Sequence, residues 1–187
     1  MNKKYIEKIA VLDFGSQYTQ LIARRIRELN IYSEIFHHNV SIQKLKERNV
    51  KGIILSGGPS SVYDESSPNL NLDLLDFGIP ILGVCYGLQL LLSETGGTIS
   101  KGKIGEYGHS IIKQVNKNIL FQDIPNQINV WMSHTDKVTK LTPDWEILSL
   151  SKNDIISSIK HIEKPIFAVQ FHPEVTHTEY GKQIISN

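Results

Sequence analysis

The sequence predicts an α/β protein with an open, mostly parallel twisted sheet, flanking helices and a smaller antiparallel β portion. In the first half of the 187-residue chain, short apolar runs alternate with segments of helical periodicity. This alternation is typical of a parallel sheet with crossover helices. Beyond Gly96 the apolar segments become shorter and strand-like, which indicates the antiparallel portion. The sequence contains no repeat or linker, so we expect one domain covering residues 1–187.

The elements of this fold are predicted in a regular order. Ser16 and Ser41 are expected to cap the first two helices, and Gly78 is expected to stop a third, Leu-rich helix. The polar side of the first helix, which includes Arg25, is expected to face solvent. The expected strands lie at 8–14, 31–38, 50–58, 79–85, 109–115, 126–133, 145–151, 155–161 and 165–172. The expected helices lie at 16–29, 41–49 and 69–78. The stretch 178–187 is expected to begin another helix, and we interpret this unfinished helix as a sign that the chain is cut from a longer one.

Charge and cysteine content exclude several classes of function. Lys and Arg number 20 against 19 Asp and Glu, so the sequence offers no electrostatic reason for binding nucleic acid or an acidic membrane. A single cysteine excludes an intramolecular disulfide and a cysteine-rich zinc module. The first apolar run is interrupted by Glu7 and Asp13, which is unlike a signal peptide or a membrane span. We therefore expect a cytoplasmic protein whose partner is a small molecule or another protein.

The only cysteine lies in the stretch GVCYG, residues 83–87, between an expected strand and an expected helix. This stretch has the form of the nucleophile elbow G-x-S-x-G, a sharp strand-to-helix turn that exposes the nucleophile. A thiol at such a turn faces the N-terminus of the following helix, where the thiolate is favoured. Cys85 is therefore a candidate nucleophile, with Gly83 and Gly87 relieving the crowding. The alternative is a small hydrophobic residue of the core.

A candidate base for the thiol follows the last predicted strand, in the stretch FAVQFHPE at 167–174. Residues two apart in an extended backbone project to the same face, so Glu174 is placed to orient the ring of His172. Pro173 favours this arrangement because it restricts the residue before it to the extended region. Taken alone, the same stretch is better explained as a loop whose histidine and glutamate are solvated. The elbow makes the catalytic interpretation the better one.

A third candidate element is SGGPSSV, residues 56–62, at the end of a buried strand. Its glycines permit a loop whose backbone N–H groups converge on one point, as an oxyanion hole requires. Gly58 and the amide of Tyr86 are the candidate donors. The segment also resembles the phosphate-binding loop SGGxDS, but Ser60 stands at the aspartate position and Pro59 removes one amide. An ordinary turn remains the alternative.

We predict no metal site. His134, Asp136 and His177 are the residues with the potential to approach His172. A zinc deaminase would also require a Pro-Cys-x-x-Cys segment, which this sequence lacks.

The stretches GVCYGLQ, SGGPSSV and QFHPE, in this order and at these separations, resemble the class I (triad) glutamine amidotransferases over essentially the whole chain. Within that class the stretches DFGSQY, EYG, WMSHTD and HPEVTHT are similar to the glutaminase units of GMP synthetases. The resemblance implies a flavodoxin-like class I amidotransferase fold. It also implies hydrolysis of glutamine through a glutamyl thioester.

The resemblance assigns a role to each candidate residue. Cys85 would attack the side-chain amide carbon of glutamine while the amides of Gly58 and Tyr86 hold the oxyanion. His172, oriented by Glu174, would protonate the leaving ammonia and then activate water.

The same resemblance implies that Gln89 and the backbone of Ser133 and His134 hold the α-amino and carboxylate groups of glutamine. Thr135 departs from the family, which commonly has glycine at this position. A β-branched residue there would be strained if the position required a positive φ.

The resemblance further implies a partner. No SGGxDS loop is present, so ATP and magnesium are expected only on a separate ATP pyrophosphatase synthetase domain or subunit, which converts XMP to GMP with the ammonia released here. We expect no cofactor in this chain, and low basal activity without the partner. Two alternatives remain at this stage: a non-catalytic module that senses glutamine, and a DJ-1-like cysteine hydrolase.

Overall fold

A computed structural model describes residues 7–64, 67–102 and 105–187. The strands are β1 Lys8–Asp13, β2 Tyr32–His37, β3 Val50–Leu55, β4 Ile81–Val84, β5 Thr98–Ser100, β6 Glu106–Gln114, β7 Gln127–His134, β8 Lys137–Lys140, β9 Trp145–Ser151, β10 Ile156–His161 and β11 Ile166–Val169. The α-helices are α1 Thr19–Arg27, α2 Ile42–Glu47, α3 Tyr86–Glu94 and α4 Gly181–Ser186. None of the helices in the described part of the chain is long and apolar enough to cross a membrane.

Nine strands form one sheet in the order β2-β1-β3-β4-β11-β10-β9-β6-β7. The first five are mutually parallel and follow the flavodoxin-like order, with β11 as the fifth strand. The remaining four are antiparallel and continue the same sheet. A separate two-stranded antiparallel sheet joins β5 to β8. The predicted fold class is confirmed, with the antiparallel portion mainly an extension of the parallel sheet.

Both faces of the parallel part are covered, which explains the apolar runs of its strands. Along β1, Ala10 and Leu12 belong to the core on one face, whereas Val11 belongs to the core on the other. The first core packs against α2 and α3, and the second packs against α1 and α4. The central strands are therefore held from both sides, and their ends are rigid supports for the loops that follow.

Two local predictions are wrong. The expected helix at 69–78 is only a 3₁₀ turn, Leu72–Asp76, in which Leu74 alone is buried. A longer helix would bury little more apolar surface there, and Gly78 ends the turn with a φ of +78°. The N-cap of α1 is Tyr18 instead of Ser16, although the Ser16 hydroxyl accepts a hydrogen bond from the Tyr18 N–H at 3.0 Å. Ser41 caps α2 as predicted, and it accepts a hydrogen bond from the N–H of Lys44.

The carboxyl ends of β1, β3, β4 and β11 lie side by side at one edge of the sheet, because these strands are parallel and adjacent. Open α/β sheets bind their ligands in the crevice outside this edge. The three candidate stretches follow β3, β4 and β11, so the fold brings them to the same place.

Candidate active site

Cys85 occupies a sharp turn between β4 and α3. Its backbone has φ +53° and ψ −104°, a conformation that non-glycine residues rarely adopt. The flanking glycines are sterically required. A Cβ on Gly83 would lie 2.8 Å from the carbonyl carbon and oxygen of Gly87, and a Cβ on Gly87 would lie 2.6 Å from the carbonyl oxygen of Leu55. The turn therefore has the geometry of a nucleophile elbow.

The strained conformation at Cys85 is maintained by its surroundings. Such backbone strain costs about 1–3 kcal/mol and persists only where neighbouring structure holds it. The N–H of Cys85 donates to the carbonyl of Val169 at 2.8 Å, which ties the turn to β11. The thiol Sγ lies 3.7 Å from the carbonyl oxygen of Ser133 and 3.6 Å from Nε2 of Gln170. Cys85 thus packs at the border of the second core, and its thiol contacts these two polar groups.

His172 and Glu174 form a buried pair beyond the end of β11. Nδ1 of His172 lies 2.7 Å from Oε1 of Glu174, and the two residues are 4% and 1% exposed. Burial alone would lower the pKa of the imidazole, but hydrogen bonds with Cys85 and Glu174 and their charges raise the pKa of His172 to about 10. His172 therefore carries a proton at neutral pH, held between the carboxylate and the thiol.

The loop that carries this pair is fixed from several directions. The N–H of His172 donates to the carbonyl of Trp131 at 3.0 Å, and its carbonyl accepts from the Thr178 hydroxyl at 2.6 Å. Nε of Arg25 donates to the carbonyl of Glu174 at 2.8 Å. The expectation that Arg25 faces only solvent is therefore wrong, because the carboxyl edge of the sheet brings α1 against this loop. Arg25 also forms an ion pair with Glu28 on the outer side of α1, as the prediction of a solvated polar side expects.

The loop after β3, which carries the candidate oxyanion donor Gly58, packs against the turn at Cys85. A Cβ on Gly57 would lie 3.7 Å from Cβ of Cys85 and 3.5 Å from Cε1 of His172, so the loop after β3 borders both residues. A Cβ on Gly58 would lie 2.8 Å from the carbonyl oxygen of Phe14, which explains glycine at this position. Tyr86 is the first residue of α3, so its N–H has no partner within the helix. The role of Gly58 and Tyr86 as oxyanion donors stays a prediction.

A single cavity of about 700 Å³ connects these groups. It is lined by Gly15, Ser16, Gln17, Tyr18, Gly58, Pro59, Ser60, Ser61, Asp64, Cys85, Tyr86, Gln89, Lys101, Tyr107, Ser133, His134, Thr135, Asp136 and His172. All three residues predicted to hold glutamine, Gln89, Ser133 and His134, are among them. The cavity is larger than a glutamine molecule requires.

The side chain of His134 is engaged within the protein, which leaves its backbone to face the cavity. Nδ1 donates to the carbonyl of Asp136 at 2.9 Å, and Nε2 lies 3.3 Å from Oε2 of Glu106. Burial would raise the pKa of the Glu106 carboxyl, but hydrogen bonds with His134, Asn153 and Ser151 outweigh this effect and lower the pKa. The pair thus links β6 to the end of β7 below the cavity.

Thr135 adopts a backbone conformation without a positive φ. Its hydroxyl lies 2.6 Å from the hydroxyl of Tyr107. The strain that a β-branched residue would suffer at a glycine-requiring position therefore does not arise in this chain.

Sequence reasoning missed two residues that contact the site, Gln170 and Arg25. Gln170 is fully buried and its carboxamide reaches both Cys85 and Gln89. The sequence did contain a signal for Gln170. It precedes His172 by two residues, and residues two apart in an extended backbone project to the same face. The helical pattern of α1 offers no comparable signal for Arg25.

A metal centre is not visible in the described ranges, since no group of three or more His, Cys, Asp and Glu side chains there is arranged to hold an ion. His177 stacks against Trp131, with ring centroids 4.5 Å apart, and does not line the cavity. His134 and Asp136 do line the cavity, and Nδ1 of His134 is hydrogen-bonded to the carbonyl of Asp136.

A strained cysteine at a strand-to-helix turn, a buried histidine–glutamate pair and a glycine loop around one cavity define a triad-type amide-transfer site. The family model for the class I glutamine amidotransferases matches residues 10–187. The chain therefore belongs to the class I glutamine amidotransferase family.

Within this family the chain is similar to proteins of one particular kind. It is 45% identical over 181 residues to the glutamine-hydrolyzing GMP synthase of Agathobacter rectalis, an alignment that covers 97% of this chain and 34% of the relative. It is 48% identical over 187 residues to the protein of the same name from Lactobacillus johnsonii, covering 100% of this chain and 36% of the relative. The chain thus spans about a third of the length of the curated relatives that it matches.

One solved structure is similar over nearly its whole length. It comes from Thermoplasma acidophilum and is described as a candidate GMP synthase subunit. The two chains are 31% identical with a TM-score of 0.82, and the match covers 97% of this chain and 92% of the other.

Proposed function

We propose that this chain hydrolyses glutamine to glutamate and ammonia, with Cys85 as the nucleophile. The observation that carries the proposal is the position of Cys85. Its strained turn at the N-terminus of α3 opens into the cavity that His172 also lines, and the buried Glu174 holds the imidazole of His172. A thiolate, a protonated histidine and an orienting carboxylate are the groups that amide cleavage through a thioester requires.

The first half of the reaction forms the thioester. Sγ of Cys85 attacks the side-chain amide carbon of glutamine, and the developing oxyanion accepts hydrogen bonds from the amides of Gly58 and Tyr86. The C–N bond then breaks while His172 gives its proton to the leaving nitrogen, which departs as ammonia. The raised pKa of His172, about 10, suits this acid role because the ring is protonated at neutral pH.

The second half releases glutamate. Once His172 has given up its proton, it is a neutral base, and Glu174 holds its Nδ1 so that the other ring nitrogen faces the thioester. This nitrogen removes a proton from water, the water oxygen attacks the thioester carbon, and the C–S bond breaks. His172 ends the cycle protonated beside the thiolate of Cys85.

The cavity suits the substrate. Gln89, Ser133 and His134 line it, and we assign the Gln89 side chain and the backbone of the other two to the α-amino and carboxylate groups. Cys85 and His172 also line it, and we assign them to the side-chain amide. No cofactor is needed for this chemistry, because the thiol and the imidazole supply the nucleophile and the proton.

We further propose that the ammonia serves an ATP pyrophosphatase synthetase unit that converts XMP to GMP. The names of the relatives support this assignment. About two thirds of each relative's chain lies beyond the part matched here. ATP and magnesium would bind that unit. We propose a cytoplasmic setting without nucleic acid or a membrane as partner, in keeping with the near-zero net charge of +1.

The proposal is tested by labelling the single thiol. The chain is incubated with a diazo-ketone analogue of glutamine, with and without excess glutamine, and its intact mass is measured. One adduct that glutamine suppresses, absent from Cys85→Ser, is the expected result. If labelling requires an added synthetase unit from a relative, the site is completed by docking and hydrolysis still follows.

A chain that is never labelled, alone or with that unit, would overturn the proposal and favour a glutamine-sensing module. Labelling that glutamine does not suppress would instead favour a cysteine hydrolase with another substrate.

A further inference from the structure

The carboxamide of Gln170 lies between the candidate nucleophile and the substrate pocket. Gln170 is 0% exposed, and a polar side chain in that position is costly unless its hydrogen bonds are made. Its Nε2 lies 3.6 Å from Sγ of Cys85, and its Oε1 lies 3.2 Å from Nε2 of Gln89. Both ends of the amide are therefore used, one by the thiol and one by a residue that lines the cavity.

The orientation of both amides follows from their partners. Nε2 of Gln89 donates to Oε1 of Gln170 and to the carbonyl of Asp136, each at 3.2 Å. These two bonds use both hydrogens of the Gln89 amide, so its oxygen is the polar atom left for the cavity. Turning the Gln170 amide around would set its N–H₂ group against that of Gln89, so Gln170 must direct its own N–H₂ toward Cys85.

Gln170 is held firmly enough to transmit this orientation. Its backbone N–H donates to the carbonyl of Ser157 at 2.9 Å, which joins the end of β11 to β10. Its side chain and the imidazole of His172 both contact Cys85, so the two project to the same side of the sheet.

We propose that Gln170 is a positioning residue that couples Cys85 to the glutamine pocket. Its Nε2 stabilises the thiolate through a charge-assisted hydrogen bond. Its Oε1 fixes Gln89 so that the Gln89 oxygen accepts a hydrogen bond from the α-ammonium group of the substrate. This inference rests on the proposed glutaminase function. It adds a basis for specificity, because an amide without an α-ammonium group would leave the buried Gln89 oxygen unpaired.

Two electrophiles separate the two halves of this role. Iodoacetamide reports only on the thiolate, whereas the diazo-ketone analogue of glutamine also requires the α-ammonium contact. Gln170→Leu removes both bonds of the Gln170 amide at similar volume. Gln89→Leu removes the substrate contact together with the Gln89 bonds to Gln170 and Asp136, but it keeps the Gln170 bond to the thiol. Gln114→Leu is the matched control, because its amide donates to the carbonyls of Ile124 and Pro125 and is absent from the cavity lining.

The expected effects differ between the two reagents. The bond from Nε2 of Gln170 is one of the interactions that hold the reactive sulfur, and the loss of one such bond costs a few-fold in alkylation rate. Gln170→Leu should therefore slow iodoacetamide about threefold, and it should slow the analogue about thirtyfold because the ammonium contact is also lost. Gln89→Leu should slow the analogue far more than iodoacetamide. The double variant Gln89→Leu/Gln170→Leu should react with the analogue at the same rate as Gln170→Leu. Without Gln170 the amide of Gln89 is no longer held toward the ammonium group, so removing it has no further effect.

Unchanged rates in Gln170→Leu, with both reagents, would overturn the inference while wild-type labelling still supported the proposed function. If the wild-type chain never reacts with the analogue, the proposed function itself is refuted. Urea unfolding and near-UV circular dichroism check that each variant is folded. If Gln170→Leu is not, Gln170→Met, whose unbranched side chain adapts to the same space, carries the same expectations.

Discussion

The crowding around the elbow predicts that Gly87→Ala weakens both the fold and the site. A Cβ at this position would lie 2.6 Å from the carbonyl oxygen of Leu55 and 2.9 Å from its Cβ. Leu55 ends the central strand β3, so neither atom can move away without disturbing the sheet. The N-terminal turn of α3 must withdraw instead, by roughly half an ångström to restore ordinary contact distances.

The size of the effect follows from this displacement. Overpacking of this kind costs about 1–3 kcal/mol, and the better helix propensity of alanine returns up to about 1 kcal/mol. We expect the free energy of unfolding to fall by about 1–2 kcal/mol. Because α3 carries the Tyr86 N–H and follows Cys85 directly, the same shift should slow labelling of the thiol by the glutamine analogue about tenfold.

Urea unfolding and the labelling rate measure the two quantities, with Gly52→Ala as the matched control. A Cβ on Gly52 would lie 2.9 Å from Cδ1 of Ile9, which is the mobile end of a side chain, and 3.6 Å from the carbonyl oxygen of Pro80. This control should lose less than about 1 kcal/mol and keep the wild-type labelling rate. Wild-type stability and labelling in Gly87→Ala would refute the steric account of the elbow.

Two further predictions concern the residues around the imidazole. The pKa of His172 is raised from 6.5 to about 10 in the folded state, so its charge stabilises the fold fully below pH 6.5 and this contribution is lost as the pH rises through about 10. Urea unfolding across that range should show a steeper loss of stability for the wild type than for His172→Gln, and equal slopes would contradict this. Arg25→Ala loses the bond to the Glu174 carbonyl and should be labelled about fivefold more slowly. Arg24→Ala, which loses only an exposed ion pair with Glu28, should keep the wild-type rate, and equal rates in both variants would count against a role for Arg25.

The fold was largely predictable because its elements have strong local patterns. Buried parallel strands such as β3 and β4 read as continuous apolar runs, and the amphipathic α1 has a clear helical period. The 3₁₀ turn at Leu72–Asp76 was mistaken for a helix because its leucines have helical spacing. Burial decides between the two, and a sequence pattern does not reveal that Leu74 is the one residue of this turn that becomes buried.

The candidate site was predictable where the chemistry lies in short stretches. The glycines around Cys85 and the spacing of His172 and Glu174 come from local backbone geometry. The structure brings Cys85 and His172 to one cavity and places Glu174 against the imidazole of His172. Their catalytic roles stay predictions until the labelling experiments are done.

What the sequence determined by itself is therefore the class of fold and the turn at the thiol, because these depend on neighbours within a few residues. It also singled out Cys85, His172 and Glu174 as the candidate reactive groups. Tertiary structure alone decided that Arg25 supports the loop of the triad and that Gln170 joins Cys85 to Gln89. These contacts connect residues 81 and 149 positions apart along the chain, and they exist only because parallel strands and crossover helices bring distant segments to one edge of the sheet.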